Sequence, residues 1–537
     1  MEVKVLLKVL AVFIATICIA PLLLVLTAWF APLSPESLES WQHVVNHLLG
    51  DYTLTTLGLC LGVAIYSLLF GVVPAWLISR YQFFGQKYFS WLLVLPLAVP
   101  AYISAYSYGW LLDYAGPIQS TLREIFAWQR EDYWFPSIRS LGGAIVVIGA
   151  ASTPYVFLLA RAAFISQPRE WWEAAASMKS SPQNYFWRVS LPAARPFIAM
   201  GIALTLMEAI ADIGTVAILG VNTISSGIYR SWFYLDEPFI AARLAAVLLL
   251  FVFLFLSIES YGRRGLRFSS LRRQPNSELW PLKKSHHIGA FLFCLVTLAV
   301  GFLVPVLTLL RLLSYHSGID WNSVAQFLYH SLRLGLIAGV TTLVAALLLV
   351  GAERFYQKWF RHIGTLANLG YAIPGAVVAV GLMILFGWLR AHFSSSIHLT
   401  GTILGLIIAY VVRFMATSNS PLQSGLQRVP IEFDMAAASL GKNDWKILWQ
   451  IHIPLLRLPM LTAFLMVFLD VVKELPATLI LRPFDVKPLA VAAFEFASDD
   501  RHIEASPYAL ALILVSAVVV LALHLIQNKS QKEPTNG

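Results

Sequence analysis

Charged side chains are scarce in this chain. Asp, Glu, Lys and Arg make up 12% of the 537 residues against 58% hydrophobic, and the mean hydropathy is +0.71, where soluble domains carry about 25% charge. That composition excludes a soluble globular domain and points to a polytopic membrane protein. Cysteine is nearly missing. Cys18, Cys60 and Cys294 all fall inside long apolar runs, which leaves neither a disulfide framework nor a cysteine metal site. No segment has the form G-x-x-x-x-G-K-[ST], and Gly441-Lys442-Asn443 lacks both the glycine loop before it and the hydroxyl after it. The chain therefore offers no nucleotide site of its own. The twelve histidines are scattered, His286 and His287 between two apolar runs and His452 beside a loop, with no nucleophile or metal constellation around them. Nothing in the sequence supports an enzyme, and no tightly bound cofactor is expected.

What is present in quantity is apolar length. A hydrocarbon core about 30 Å thick needs roughly 20 helical residues to cross it, and runs of that kind lie near 8–30, 53–78, 89–112, 140–165, 196–220, 238–258, 289–313, 328–351, 364–389, 399–418, 459–481 and 506–527. The expected fold class is an all-α membrane protein of about twelve transmembrane helices. The first run follows Lys4 and Lys8, exceeds a signal-peptide core and lacks a small-x-small cleavage site, so it reads as a retained anchor. Residues 31–52 contain no Lys or Arg, whereas Arg263, Arg264, Arg267, Arg272, Arg273, Lys283 and Lys284 crowd the loop between runs six and seven. Basic residues stay on the cytoplasmic side, which puts both termini and the even-numbered loops there. The same rule accounts for the net charge of +9 without a nucleic-acid partner; the membrane lipid is the surrounding partner.

The chain also repeats itself. Pro168-Arg-Glu-Trp-Trp-Glu173-Ala174-Ala175-Ala-Ser177-Met-Lys179, continuing to Pro192 and Arg195, recurs 262 residues later as Pro430-Ile-Glu-Phe-Asp434-Met435-Ala436-Ala437-Ala-Ser439-Leu-Gly441, continuing to Pro454 and Arg457. The repeat splits the runs six and six around a basic, proline-broken linker at 260–287 and puts each copy between the fourth and fifth run of its half. Even numbers of crossings precede both copies, so the halves are parallel repeats. The expected organisation is a first helix and loop at 1–52, a repeat domain at 53–259, the linker at 260–287, a seventh helix and loop at 288–327, a second repeat domain at 328–527 and a tail at 528–537.

The same offset carries into the membrane. Glu208 aligns with Asp470 and Asp212 with Glu474, with Lys473 beside the latter pair. If runs five and eleven are unbroken helices, spacing of four puts each pair on one face. Ionisable groups in a span cost at least ~2.5–3.5 kcal/mol when central, which makes these five the expected lining of a path. Hard carboxylate oxygens suit hard cations; a path that must release its cargo acts by electrostatic guidance, with transient metal contact at Glu208, Asp212, Asp470 and Glu474. The alternative is that Lys473 simply neutralises its acidic neighbours.

Each loop reads as a short helix entered at a proline and closed near Lys179 or Gly441. Glu173-Ala-Ala followed by Pro192 resembles the E-A-A loop of membrane subunits of type I ATP-binding-cassette importers. That resemblance implies a coupling helix docking on a cytoplasmic ATPase, through Glu173, Ala174, Ala175, Ser177, Lys179 and Pro192 in one copy and Asp434, Ala436, Ala437, Ser439, Gly441 and Pro454 in the other. Two ATPase copies would then supply the ATP. Lys179 stands where Gly441 does, and Glu173 where Met435 does, so two unequal docking sites are expected.

Glu208-Ala-Ile-Ala-Asp-Ile-Gly-Thr-Val216 with Ser226–Phe233, and Lys473-Glu-Leu-Pro-Ala-Thr with Leu489–Ser498, resemble the fused permeases of ferric-iron importers. That implies inward ferric transport across the inner membrane and a periplasmic ferric-ion-binding protein docking on the loops 221–237 and 482–505. Fused thiamine permeases share the size and layout, and an ion-driven secondary transporter would need no ATPase at all.

Overall fold

The computed structural model describes residues 2–262, 280–281, 284–393 and 398–532. Most of the expected basic linker, including Arg263, Arg264, Arg267, Arg272, Arg273 and Lys283, lies outside the described residues, as does the tail beyond 532.

Among the described residues ten helices are long and apolar enough to cross a membrane, and twelve if each of two sharply bent helix pairs counts as one span. In chain order the principal helices are α1 (Glu2–Thr27), α2 (Pro35–Arg80), α3 (Gln86–Ala98), α4 (Ala101–Leu112), α5 (Leu141–Ile165), α6 (Arg169–Ser177), α7 (Leu191–Ala211), α8 (Gly214–Ile218), α9 (Ile224–Phe233) and α10 (Pro238–Gly262). The second half supplies α11 (His286–Ser314), α12 (Trp321–Ala367), α13 (Gly375–His392), α14 (Ile403–Leu426), α15 (Ile431–Ser439), α16 (Arg457–Lys473), α17 (Pro476–Leu481), α18 (Leu489–Ser498) and α19 (His502–Lys532).

Each of the twelve expected runs falls on one of these elements. The differences lie at breaks. The third run turns through 90° between Gln86–Ala98 and Ala101–Phe126, because Pro100 holds φ −56° and ψ 143° and starts α4 afresh. Proline lacks the N–H that would continue the previous helix. Pro374, at φ −55° and ψ 138°, starts α13 in the same way. Runs five and eleven end early, α7 at Ala211 and α16 at Lys473, and a short helix follows each.

The halves are exchanged at their leading helices. α1 packs on α12 and α13 of the second half, and α11 packs on the first half, where Phe293 stacks on Phe70 at 5.5 Å and Cys294 and Leu298 join Val156 and Phe157 in one core. Neither half therefore encloses its own core. Between them, α4 meets α18, with Tyr102 and Phe494 edge to face at 6.3 Å.

The α1–α13 crossing is tight because of a glycine. A Cβ at Gly381 would stand 2.3 Å from the Pro21 carbonyl oxygen, a backbone atom that cannot swing aside, whereas one at Gly387 would meet nothing within 4 Å. Alanine is otherwise worth about 0.5–1 kcal/mol over glycine inside a helix, and overpacking costs about 1–3 kcal/mol. Gly387→Ala is therefore expected to raise the thermal unfolding midpoint of the detergent-purified protein and Gly381→Ala to lower it.

Candidate functional site

The breaks in runs five and eleven set the geometry at the centre. At Asp212 the backbone leaves the helix with φ −74° and ψ 111°, and at Glu474 with φ −66° and ψ 125°. Free backbone groups at membrane depth need partners, and the two carboxylates provide them. Asp212 accepts from the Thr215 N–H at 2.6 Å and from the Thr215 hydroxyl at 2.7 Å. Glu474 accepts from the Ala477 and Thr478 N–H groups, each at 2.9 Å, and from the Thr478 hydroxyl at 2.6 Å. Ser225 Oγ donates to the Ile210 carbonyl left over at the end of α7. The expectation that unbroken helices put each acidic pair on one face is thus corrected: a short acidic side chain satisfies local N–H groups better than the helix would, and Pro476 restricts the residue before it. Asp212 and Glu474 are caps of α8 and α17, and Glu474 is buried at 5% exposure.

Glu208 and Asp470 remain on helix and line a cavity of about 150 Å³ between the halves, together with Asp212, Lys473 and Glu474. All five acidic and basic residues expected to line a path meet there. Tyr155 Oη donates to Glu208 Oε1 at a long 3.5 Å. Lys473 Nζ donates across the halves to the Leu97 carbonyl at 3.2 Å and stands 3.9 Å from Asp470. Tyr102, Tyr155 and Arg413 also line the cavity and were missed from sequence. Arg413, alone in an otherwise apolar run, carried a legible signal: its insertion cost. The Tyr102 hydroxyl is buried, at the cavity wall, without a hydrogen-bond partner. Among the described residues no three His, Cys, Asp or Glu side chains cluster to hold a metal ion.

The repeated loops form α6 and α15. Pro168 and Pro430 cap them with identical angles, φ −58° and ψ 143°, and their alanines lie on the surface except Ala437, the one buried residue in either helix. Ser177 and Ser439 each bond back to the carbonyl four residues earlier. Both helices close by the same motif: the Ser180 N–H bonds to the Ala175 carbonyl and the Lys442 N–H to that of Ala437. Closure needs a left-handed residue, supplied by Gly441 at φ 74° and by Lys179 at φ 55°. Pro192 is half-buried in the first turn of α7, whereas Pro454 is exposed, just before an 80° bend that the first half does not share.

Each loop is pinned by an arginine from a long helix, buried in the case of Arg80 and half-buried in the case of Arg354. Arg80 at the end of α2 donates to the Phe164 carbonyl at 2.8 Å and to Gln167 at 3.0 Å, and Gln167 in turn donates to the Ser190 carbonyl at 2.8 Å. Arg354 on α12 donates to the Val429 carbonyl at 3.0 Å and to Asp434 at 2.6 Å, and Asp434 contacts His452 at 2.7 Å. Gln167 and Val429, and Ser190 and His452, are equivalent in the repeat. Asp434 is therefore turned inward to Arg354, while Glu173 stays exposed and pairs with Arg169 at 2.6 Å. Trp172, the counterpart of Asp434, instead packs against Trp280 at 4.0 Å, whose backbone pairs with Tyr81.

At the opposite end, α9 and α18 carry the loops expected to dock a partner. Arg230, Asp236, Asp485, Asp499 and Asp500 are exposed there, while Glu237 accepts from Ser37 and Glu495 is held by Arg482 at 2.9 Å and Lys487 at 2.5 Å.

Residues 3–264 and 343–532 match the family model described as binding-protein-dependent transport system inner membrane component. The chain is 28% identical over 477 residues to the Fe(3+)-transport system permease protein FbpB 2 of Haemophilus influenzae, covering 87% of this chain and 88% of that one. It is 20% identical over 484 residues to the ferric transport system permease protein FbpB of Actinobacillus pleuropneumoniae, 85% of this chain and 68% of the other. A putative 2-aminoethylphosphonate transport system permease protein, PhnV of Salmonella typhimurium, is 28% identical over 229 residues, 42% of this chain and 81% of its own.

The division between capping and free carboxylates is measurable. Asp212→Ala and Glu474→Ala are each expected to cost about 1–2 kcal/mol in thermal unfolding of the purified protein, with Glu208→Ala and Asp470→Ala within about 0.5 kcal/mol of the parent. In the loops, Lys179→Gly should stabilise by about 1 kcal/mol and Gly441→Lys destabilise by a similar amount, since only glycine adopts a left-handed backbone without steric cost.

Proposed function

Because the chain belongs to the family of binding-protein-dependent transport system inner membrane components, we propose that it is the permease subunit of an ATP-driven importer that moves ferric iron inward across the inner membrane. The two halves act as the two permease domains, with the boundaries read from the sequence. α6 and α15 face the cytoplasm and seat two copies of an ATPase subunit; α9 and α18 face the periplasm and receive a ferric-ion-binding protein. ATP hydrolysis takes place on the partner, and this chain is the transport subunit.

One observation carries the choice of cargo. The cavity sets four carboxylates, Glu208, Asp212, Asp470 and Glu474, against two cations, Arg413 and Lys473. It is net acidic, which favours a hard cation over a phosphonate or sulfate. Two of the carboxylates are occupied as caps, so Glu208 and Asp470 are the groups free to attract cargo, with the unpartnered Tyr102 hydroxyl beside them as a further oxygen. Guidance by charge, without a closed coordination cage, lets the ion leave. The relatives named for ferric iron span both halves of the chain, whereas the phosphonate relative matches less than half of it.

Exposed coupling helices whose upstream flank is held by Arg80 or Arg354, and linked on to the downstream flank through Gln167 and Ser190 or through Asp434 and His452, suit the transmission of force. A helix held only by its own backbone would yield under load, whereas one tied at the residues before and after it moves with α2 or α12.

The test is uptake of radiolabelled ferric ion into proteoliposomes that contain the chain, its ATPase and its binding protein, with thiamine and 2-aminoethylphosphonate as competitors. Ferric uptake that depends on ATP and is unaffected by either competitor is expected. Glu208→Gln with Asp470→Asn should lower the rate about tenfold or more, the equivalent of 1.4 kcal/mol, while the ATPase still co-purifies. Scrambling 174–177 and 436–439 should abolish co-purification. Transport that persists without any ATPase would replace this reading with a secondary transporter.

A further inference from the structure

The repeat is symmetric in its acids and asymmetric in its bases. Glu208 and Asp470 are equivalent, as are Asp212 and Glu474, and all four line the central cavity. The positions equivalent to Arg413 and Lys473 are Ala151 and Ala211, and those alanines line the same cavity from the other side. Both built-in cations thus stand on the second-half wall, and the ionisable side chains of the first-half wall are the acids Glu208 and Asp212 and the phenols Tyr102 and Tyr155. A pair of cations placed for structure alone has no reason to face the cavity at positions where the twin manages with methyl groups.

The two cations are held differently. Arg413 is wedged: a Cβ at Gly375 would lie 2.5 Å from both Arg413 Nη1 and Glu474 Oε1, so the guanidinium and the capping carboxylate converge over a glycine that leaves them room. Lys473 is held loosely. Its ammonium is 3.9 Å from Asp470, beyond hydrogen-bond length, and its one donated bond reaches the Leu97 carbonyl of the first half at 3.2 Å. That carbonyl belongs to the segment bent away at Pro100, and the bond ties α16 to the α3–α4 break across the interface between the halves.

Resting on the proposed cation import, we infer that Lys473 is a resident counter-cation of the transport cavity, which a trivalent cargo displaces more readily than a divalent ion does. In the empty cavity the ammonium neutralises part of the acidic field beside Asp470. An ion of higher charge entering between Glu208 and Asp470 repels the ammonium more strongly than the carboxylates hold it, because the Coulomb energy scales with the product of charges. A divalent ion has a smaller advantage over an ammonium fixed to the wall at high effective concentration. Displacement also breaks the bond to Leu97, so occupancy of the cavity releases a tie between the halves. Lys473 is in this sense a specificity-determining and positioning residue. A lysine suits the part because its flexible stem and compact charge move where the arginine fork is fixed.

The experiment measures ferric uptake in proteoliposomes of the full transporter, with Mn2+ as the competing divalent ion, for the parent, Lys473→Arg, Lys473→Gln and Lys473→Gln/Asp470→Asn. The amide of K473Q keeps a donor for Leu97 and removes the charge. K473R keeps the charge and loses the mobility, so its Mn2+ sensitivity is expected to stay within threefold of the parent while ferric turnover falls at least threefold. K473Q should lower ferric turnover at least tenfold and let Mn2+ inhibit at a concentration at least tenfold lower. The neutral pair should return Mn2+ sensitivity to within threefold of the parent, since it restores the charge balance, and raise ferric turnover above that of K473Q while the lost Asp470 carboxylate keeps it below the parent. Full activity and unchanged Mn2+ sensitivity in K473Q would overturn the inference, as would a double variant no better than K473Q. Should K473Q fail to assemble, transport by the double variant supports the inference and its absence overturns it. A parent that imports 2-aminoethylphosphonate and no ferric ion would overturn the cargo reading itself, a result separate from any effect at Lys473.

Discussion

A backbone that leaves the helix inside a membrane has to satisfy its own N–H and carbonyl groups, and the centre of this protein is organised around that requirement. At Ala211 and at Lys473 the chain stops being helical. The exposed N–H groups are taken up at once by Asp212 and Glu474, which the chain supplies at equivalent places in its two halves. The breaks open room between the halves for a cavity; the caps make the breaks affordable in a medium without water. Acidity at the centre thus has two origins, one pair of carboxylates committed to the backbone and one pair left facing the cavity.

The same division runs through the repeated loops. Their shape is the same in both copies, down to the entry angles at Pro168 and Pro430 and the left-handed closing residue. What holds them differs. One copy leans on aromatic packing between Trp172 and Trp280, the other on the contacts of Asp434 with the Arg354 guanidinium and the His452 ring. Both rely on an arginine from a long helix that reaches the loop flanks. Lys179, in a conformation that glycine adopts freely, carries strain that its counterpart Gly441 does not. At Glu173 and Met435 the two copies also differ in geometry: Glu173 is exposed and pairs with Arg169, and Asp434, beside Met435, is bound inward by Arg354.

Much of this was legible in advance. Apolar runs of the right length located every membrane helix, because burial in lipid demands an unbroken apolar stretch that few other contexts produce. The duplicated loop was legible because its register holds without a gap from Pro168 to Arg195. The central carboxylates stood out by their cost in a membrane. Less visible were Arg80 and Arg354, whose partners lie more than 70 residues away in the chain, and Tyr102, whose role follows from the 90° turn that brings α4 to the cavity.

Composition and repetition by themselves determined a two-fold, all-helical membrane protein with paired loops and paired intramembrane acids, since those properties follow from local chemistry and from spacing along the chain. Tertiary structure alone decided which acids cap and which remain free, that α1 and α11 exchange across the halves, and that Lys473 reaches Leu97. Each of these depends on where a broken backbone turns and on which distant carbonyl or carboxylate then comes within hydrogen-bond reach, and spacing in sequence carries no record of that.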